Sequence, residues 1–194
     1  MVGIGNVFES LNHEAKKIFS VIQKNGPLTK NEISLFTGLK LTTLIRIMQP
    51  LLDLGLVMES KIGESTGGRK PVLYDVNTNR FYIIGIDISR TYTQVVITDL
   101  KMQILQKHRF DMDMWCSPEI TLIKIEEAVQ TLRKSLDIEN KIMLGAGIGT
   151  VGPLDREKGI VINPVNFEAP GWANVPLKSM VEEKLKCSAI LDNG

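Results

Sequence analysis

Residues 29–55, TKNEISLFTGLKLTTLIRIMQPLLDLG, hold the pattern that decides the fold of the first part of this chain. Thr29 and Glu32 have the spacing of a capping box, in which each side chain satisfies a free backbone amide at the start of a helix. That helix is expected to end at Thr37-Gly38, since glycine is the commonest residue after a helix. A second helix is expected from about Leu41 to Leu54. The stretch therefore predicts two helices joined by a turn that contains glycine.

The second of these helices has apolar residues at helical spacing. Pro50 lies inside it, where a proline costs about 3 kcal/mol, so a kink or an early weakening is expected there. Gly55 follows as the expected stop. The face predicted to pack in the core consists of Leu41, Leu44, Ile45, Met48 and Leu52.

A further amphipathic helix is predicted upstream, between Phe8 and Lys24. Its apolar residues recur at spacings of four, three and four, which places them on one face. Asn25-Gly26-Pro27 is expected to end it. The residues of the face are Leu11, Ala15, Ile18 and Ile22.

Two short helices around a glycine-containing turn have the layout of a helix-turn-helix, whose second helix enters the DNA major groove by its N-terminal end. The face opposite the predicted apolar stripe carries hydroxyls, a guanidinium and an amide, which can bond phosphates or base edges. The alternative is a three-helix module with an ordinary polar face. The candidate DNA-binding residues are Thr42, Thr43, Arg46 and Gln49.

A predicted hairpin follows the helices. Leu56 to Ile62 and Val72 to Val76 are expected to be strands on either side of the segment GESTGGRKP at residues 63–71. Arg69 and Lys70 make its end cationic, and such a segment can lie in a narrow minor groove. The alternative is a solvated basic turn. Together with the helices, the hairpin predicts a winged helix-turn-helix over residues 1–78.

The charge distribution agrees with a nucleic-acid partner for this part of the chain. Residues 1–80 carry 10 Lys and Arg and 7 Asp and Glu, a net charge of +3, whereas residues 81–194 carry 13 and 15, a net charge of −2. Solvated surfaces often carry a charge difference of this size, so the charge supports a nucleic-acid partner only together with the helix-turn-helix pattern.

Composition excludes several classes of protein. Hydrophobic residues make up 43% and charged residues 23% of the chain, which excludes a collagen-like, low-complexity or wholly disordered protein. No apolar stretch approaches the roughly 20 residues that a membrane helix needs. The first cation is Lys16, so the basic start of a secretory signal is lacking. We therefore expect a cytoplasmic protein with no membrane partner.

The two cysteines, Cys116 and Cys187, lie far apart and show no C-x-x-C spacing or clustering with histidine. Neither a disulfide framework nor a zinc site is indicated by this pattern. We expect buried, reduced thiols and no metal ligands.

The remainder of the chain predicts a second domain, residues 79–194, after the polar linker at residues 77–80. The order β-β-β-α-β-α-β is that of one lobe of the ribonuclease-H-like, actin-like ATPase fold, so the whole chain is expected to be a multidomain α/β protein. The predicted strands are Phe81–Ser89, Thr91–Asp99, Met102–Phe110, Ile142–Thr150 and Ser188–Asp192, and the predicted helices start at Ser117-Pro118 and at Pro176.

Four motifs stand in the order and spacing of a known family. They are GIDISRT at residues 85–91, GIGTVGPLD at residues 147–155, Asn163-Pro164 followed by Pro170-Gly171-Trp172, and LDNG at residues 191–194. In this order, after a winged helix, they resemble the ROK family, which contains sugar kinases and sugar-responsive transcriptional repressors. The repressors carry an N-terminal winged helix-turn-helix.

The departures from the kinase pattern bear on catalysis. The ROK kinases have Asp-x-Gly-Gly-Thr in the first motif, whereas this chain has Ser89 and Arg90 in place of both glycines. The kinases end the last motif with an aspartate general base, and Gly194 occupies that position and cannot accept a proton. The resemblance therefore implies no catalytic residues, no enzyme activity and no cofactor. It further implies that Asn193 bonds a sugar hydroxyl, and Asn166 is a second candidate.

The resemblance implies a repressor that binds double-stranded operator DNA as a homodimer and responds to a small sugar, such as xylose or another monosaccharide. A complete ROK protein continues into a second lobe with a Cys/His zinc motif, so the sugar cleft is expected to be incomplete in these residues. Two alternatives remain open. One is a sugar kinase with an appended DNA-binding head, and the other is a DNA-binding fragment without a ligand response.

Overall fold

The computed structural model describes residues 8, 10–62 and 71–194. The chain divides between Phe81 and Tyr82 into two compact units. Among the described residues, none of the helices has the length and apolar character needed to cross a bilayer.

The first unit contains three helices and an antiparallel pair of strands, in the order that the sequence predicts. The capping box is confirmed, because the Thr29 amide donates to Glu32 Oε2 at 2.7 Å and the Glu32 amide donates to Thr29 Oγ1 at 3.2 Å. The Thr29 amide and the Thr29 hydroxyl, which donates to Glu32 Oε2 at 2.8 Å, lower the pKa of Glu32 below its ordinary value. The elements are α1 (His13–Asn25), α2 (Lys30–Thr37), α3 (Leu41–Asp53), β1 (Val57–Ile62) and β2 (Val72–Val76).

Helix α1 begins later than the apolar spacing predicts. The side chain of Asn12 accepts a hydrogen bond from the Ala15 amide at 2.8 Å and so caps the helix, which starts at His13 rather than Phe8. The apolar face is confirmed, since Leu11, Ala15, Ile18 and Ile22 are all buried, together with Phe19.

The buried face of α3 differs from the predicted one. Leu41 and Ile45 were expected in the core and are 42% and 47% exposed. Leu52 is only half-buried. Ile47 and Leu51 lie on one side of Leu44 and Met48 and are buried with them. The other predicted residues, Leu41, Ile45 and Leu52, lie on the opposite side of Leu44 and Met48. The buried residues are Leu44, Ile47, Met48 and Leu51.

The end of α3 is set by glycine rather than by proline. The helix continues to Asp53, past Pro50, so the expected early weakening is not seen. Gly55 then takes a left-handed conformation with φ of 69°. The Gly55 amide donates to the Leu52 carbonyl and the Leu56 amide to the Leu51 carbonyl, each at 2.9 Å. This is the Schellman arrangement, which satisfies the last carbonyls of the helix.

Strands β1 and β2 pair antiparallel, with Val57 opposite Val76 and Ile62 opposite Val72. A bridge between Leu28 and Tyr74 ties the chain before α2 to this hairpin. The predicted wing tip at residues 63–70, with Arg69 and Lys70, lies outside the described residues.

The second unit has the predicted elements in the predicted order, with one addition. A two-stranded hairpin, β7 (Leu154–Asp155) and β8 (Ile160–Val161), was not predicted because two-residue strands show no periodicity. The other elements are β3 (Phe81–Ile88), β4 (Tyr92–Thr98), β5 (Ile104–Asp111), α4 (Pro118–Ser135), β6 (Ile142–Thr150), α5 (Leu177–Leu185) and β9 (Ala189–Asn193).

The main sheet has the strand order β5-β4-β3-β6-β9. Strands β3, β4 and β5 form the expected antiparallel meander, and β6 pairs parallel with β9. Alternate residues of β3 and β4 pack in one core with the apolar face of α4, including Ile86, Val95, Ile125 and Val129. This arrangement brings the last residues of β6 and β9 side by side.

Trp172 and the two cysteines of this unit belong to its core. Trp172 is buried, and its indole N–H donates to the Cys116 carbonyl at 3.0 Å. Cys116 and Cys187 are both free and buried, as predicted. Burial raises the pKa of the Cys187 thiol to about 11, and the nearby Glu182 carboxylate adds to the shift.

Candidate DNA interface and ligand site

The polar face of α3 is exposed as the sequence predicts. Thr42, Arg46 and Gln49 are exposed and Thr43 is half-buried. Thr42 and Arg46 are four residues apart, so their side chains lie one above the other on the helix surface. The structure therefore brings a hydroxyl and a guanidinium together on the first two turns of α3.

Gln49 is less available than the other three candidates. Its amide Nε2 donates to Asp53 Oδ1 at 2.8 Å on the same helix. The Asp53 carboxylate also repels a phosphate that would approach this end of the helix. The C-terminal half of α3 is thus the weaker part of the candidate DNA surface.

The N-terminal end of α3 has the electrostatics that an anion requires. Lys40 is the N-cap of the helix, and its side chain makes no capping hydrogen bond to the first amides. Amides at a helix start and the helix dipole both favour a phosphate. Lys17 supports the turn before α3, since its Nζ donates to the Thr37 carbonyl at 2.8 Å.

In the second unit, three of the sequence motifs meet where β3, β6 and β9 end. Gly149 lies opposite Asp192 in the parallel register, and the Gly194 amide donates to the Thr150 carbonyl at 3.0 Å. A β-carbon added to Gly194 would lie 3.4 Å from Asp87 Oδ1. Gly194, which the resemblance places at the position of the kinase base, is therefore directly beside Asp87.

Asp87 is held by a tyrosine from the neighbouring strand. The Tyr92 hydroxyl donates to Asp87 Oδ2 at 3.0 Å, and the Arg109 guanidinium lies 3.8 Å from the Tyr92 ring centroid. This hydrogen bond and the negative charge of Asp87 raise the pKa of Tyr92. This hydrogen bond orients the carboxylate of the first motif.

The turn after β3 contains the two residues that replace the kinase glycines. The Ser89 amide donates to the Tyr92 carbonyl at 2.8 Å, which closes the turn. The Arg90 side chain is exposed, and its Nε donates to the carbonyl oxygen of Val165 at 3.1 Å. Arg90 therefore connects the turn that binds phosphate in the kinases to the loop that carries Asn166.

Asn193 lies at an open cleft of about 730 Å³. Arg156, which lines the same cleft, forms an ion pair through its Nε with Asp192 Oδ1 at 2.8 Å. Asn, Asp, Glu and Arg side chains are the donors and acceptors that hydroxyl groups need. The lining residues are Gly152, Pro153, Leu154, Asp155, Arg156, Glu157, Ile162 and Asn193.

Asn166 is exposed but does not line this cleft, so the structure does not bring the two predicted sugar contacts into one pocket. Asn166 has a positive φ of 63°, and the next residue, Phe167, packs on Trp172 with ring centroids 4.8 Å apart. The loop is thereby anchored to the core.

Sequence reasoning missed Arg156 and Asp155, which line the cleft through the unpredicted hairpin. Hydrogen bonding from the Lys158 amide lowers the pKa of Asp155. The only signal for these residues was the charged turn DREKG at residues 155–159, which is also typical of a solvated loop. No cluster suited to a metal ion occurs among the residues that the structure describes.

Comparisons with known proteins agree with both units. The sequence model of the ROK family matches residues 83–194, and one described as winged helix-turn-helix DNA-binding matches residues 15–58. The xylose repressor of Bacillus spizizenii is 30% identical over 180 residues, which cover 92% of this chain and 45% of the repressor. The DNA-binding transcriptional dual regulator NagC of Escherichia coli K12 is 23% identical over 194 residues, 97% of this chain and 45% of NagC.

Among solved structures, a ROK family transcriptional regulator that is a homolog of the E. coli MLC protein superposes with a TM-score of 0.72 at 17% identity. The superposed region covers 96% of this chain and 46% of the regulator. The chain thus spans less than half the length of these relatives. Since the ROK model accounts for more than half of the chain, from residue 83 to residue 194, the protein belongs to the ROK family.

Proposed function

We propose that this protein is a sequence-specific DNA-binding repressor of carbohydrate-utilisation genes. Residues 1–78 are its winged helix-turn-helix domain, and residues 79–194 are the first lobe of its sugar-sensing domain. The observation that carries the proposal is the exposed row of Thr42 and Arg46 on α3, in a chain that continues into a ROK lobe.

DNA is contacted by two surfaces in this proposal. The residues that face the major groove are Thr42, Thr43, Arg46 and Gln49. Arg46 is the main base contact, because its guanidinium is exposed and α3 has no acidic residue before Asp53. Arg69 and Lys70 supply charge from the wing. In this proposal the protein acts in the cytoplasm, because its partner is operator DNA.

The effector is a monosaccharide, and relatives named xylose repressor favour a pentose such as xylose. Asn193 contacts the sugar from the cleft beside Arg156. Asn166, which lies outside this cleft in the loop that Arg90 holds, is the second candidate contact. The repressor acts as a homodimer on a palindromic operator, with the two α3 helices about 34 Å apart, one turn of DNA. The sugar acts by favouring one arrangement of the two DNA heads.

Phosphoryl transfer is absent from the proposed function. Close approach of backbone amides to phosphates requires the glycines that Ser89 and Arg90 replace. Arg90 is moreover engaged with the Val165 carbonyl. At the base position, Gly194 offers no proton acceptor beside Asp87.

The alternative of a kinase with a DNA-binding head draws on Asp87, which is retained and oriented by Tyr92. The alternative of a DNA-binding protein without ligand response draws on the cleft, which is open to solvent on this chain alone. Both are distinguished from the proposal by the same experiment.

That experiment begins by selecting bound duplexes from a random DNA pool. Affinity for the selected site is then measured with xylose, glucose and N-acetylglucosamine, and ATP consumption is measured with the same sugars. Because the chain spans less than half of its repressor relatives, the sugar arms use a protein that includes the remaining length. A selected site whose affinity changes with one sugar, without ATP consumption, is the expected result. Turnover would favour the kinase, and an unresponsive site would favour the third alternative.

A further inference from the structure

A second row of exposed side chains on α3 is apolar. Leu41 and Ile45 are 42% and 47% exposed. They are four residues apart and therefore lie one above the other. This apolar row runs beside the polar row of Thr42 and Arg46, and both rows begin in the first turn of the helix.

The core of the first unit is complete without the apolar row. Four other residues of α3 fill it, and each is 6% exposed or less: Leu44, Ile47, Met48 and Leu51. A single exposed aliphatic side chain is ordinary on a protein surface. Two of them, aligned next to the candidate base-contacting arginine, form a continuous apolar strip that is available to whatever lies against α3.

The positive charges beside the apolar row favour a polyanion as the binding partner of this surface. Lys40 precedes Leu41, Arg46 follows Ile45, and α3 has no acidic residue before Asp53. The N-cap residue, Lys40, makes no side-chain hydrogen bond to the amides at the start of the helix. An apolar protein partner would have to desolvate these positive groups, whereas DNA phosphates would pair with them.

Duplex DNA presents one apolar group in its major groove, the 5-methyl group of thymine. Ile45 and Arg46 are consecutive, so their side chains diverge by about 100° around the helix axis and would meet neighbouring bases. We propose that Ile45, supported by Leu41, recognises a thymine through its methyl group, next to the base pair that Arg46 contacts. The inference rests on the proposed DNA-binding function and names the base that α3 requires.

The test removes a single methyl group from the DNA. In the selected site, each thymine is replaced in turn by deoxyuridine, which keeps every hydrogen bond and lacks only the 5-methyl group. Affinities are measured for the wild-type chain, for Ile45→Ala and Leu41→Ala, and for Leu35→Ala as control. Leu35 is an apolar residue of α2 that is 82% exposed and belongs to neither row.

One thymine in each half-site should respond. A buried methylene-sized group contributes about 0.8 kcal/mol, so deoxyuridine there should weaken wild-type binding about four-fold. Ile45→Ala should bind both forms of the site equally, Leu41→Ala should show a reduced difference, and Leu35→Ala should keep the full difference. Circular dichroism and low-salt binding to random DNA should be the same for all four proteins.

Four outcomes would overturn the inference. If Ile45→Ala keeps the wild-type response to deoxyuridine at every position, the methyl contact is made elsewhere. If wild-type protein ignores deoxyuridine throughout but still selects a sequence, no methyl is recognised and only this inference fails. If no sequence is selected at all, the proposed DNA-binding function fails with it. A change of oligomeric state in Ile45→Ala with an unaltered deoxyuridine response would assign the row to a protein contact.

Discussion

Arg90 and Val165, 75 residues apart in sequence, are joined by a hydrogen bond of 3.1 Å from the guanidinium Nε to the carbonyl oxygen. The bond links the turn after β3 to the loop that precedes Trp172. In a glycine-containing turn no side chain could make this link. Arg90, which stands where the kinase pattern has a glycine, thus gives the turn a contact with the loop of Asn166.

Loss of base recognition is the expected effect of Arg46→Ala. Its guanidinium lies on the exposed face of α3, so its removal should lower affinity for the selected site by about 1–3 kcal/mol, the contribution of a bidentate base contact. Competition gel shifts measure the loss. Lys24→Ala, which removes an exposed cation from α1, is the charge-matched control and should have little effect. Equal affinities for Arg46→Ala and wild type would exclude Arg46 as a base contact.

Replacing Arg69 and Lys70 together by alanine should weaken specific and non-specific binding alike. Each phosphate or minor-groove contact that is lost reduces the slope of log affinity against log salt by about one, so a reduction of about one to two is expected. The double variant Lys107→Ala, Lys134→Ala loses the same charge from the second unit and should keep the wild-type slope. A slope unchanged by the wing substitutions would show that the wing is solvated and makes no DNA contact.

No sugar kinase activity is expected, because Ser89 and Arg90 stand where the kinase pattern has glycines for nucleotide positioning, and Gly194 offers no proton acceptor. The assay couples ATP consumption to common hexoses and pentoses, in a protein that includes the length found in the repressor relatives. Turnover that is lost again in Asp87→Ala would establish a working site and contradict the proposed function. Sugar binding without turnover, with a change in operator affinity, is the outcome that we expect.

Gly38→Ala and Gly147→Ala form a matched pair for backbone strain. A β-carbon at either position meets nothing within 4 Å, but Gly38 has φ of 73° whereas Gly147 has no positive φ. An L-residue in the left-handed region costs roughly 1–2 kcal/mol, so Gly38→Ala should lower the free energy of unfolding of the first unit by about that amount. Gly147→Ala should be neutral for the second. Urea titration followed by circular dichroism measures both, and equal effects would contradict the assigned role of Gly38.

Element order could be predicted from the sequence because caps and periodicity are local signals. Thr29 with Glu32, Ser117 with Pro118, and the strand Ile142–Thr150 all occur where their patterns indicate. The boundary at His13 was missed because Asn12 acts as a cap that apolar spacing does not reveal.

The faces of α3 were harder to predict, since Leu41, Ile45, Ile47 and Leu51 are all apolar and only the packing of the other helices decides which two are buried. The candidate ligand site depends even more on tertiary structure. Sequence motifs indicate Asp87, Asn193 and Gly194, but Arg156 enters the cleft through a hairpin with no periodicity, and the pairing of Arg90 with Val165 spans two distant loops.

The two tryptophans of this chain occupy opposite environments, because Trp115 is 73% exposed and Trp172 is 3% exposed. Their fluorescence should therefore separate into a red-shifted component that iodide quenches and a blue-shifted component that it does not reach. Trp172 packs on Phe167, in the loop that Arg90 holds. A ligand that rearranges this loop would change the iodide-resistant emission, so the protein carries an intrinsic optical reporter of this loop and needs no attached dye.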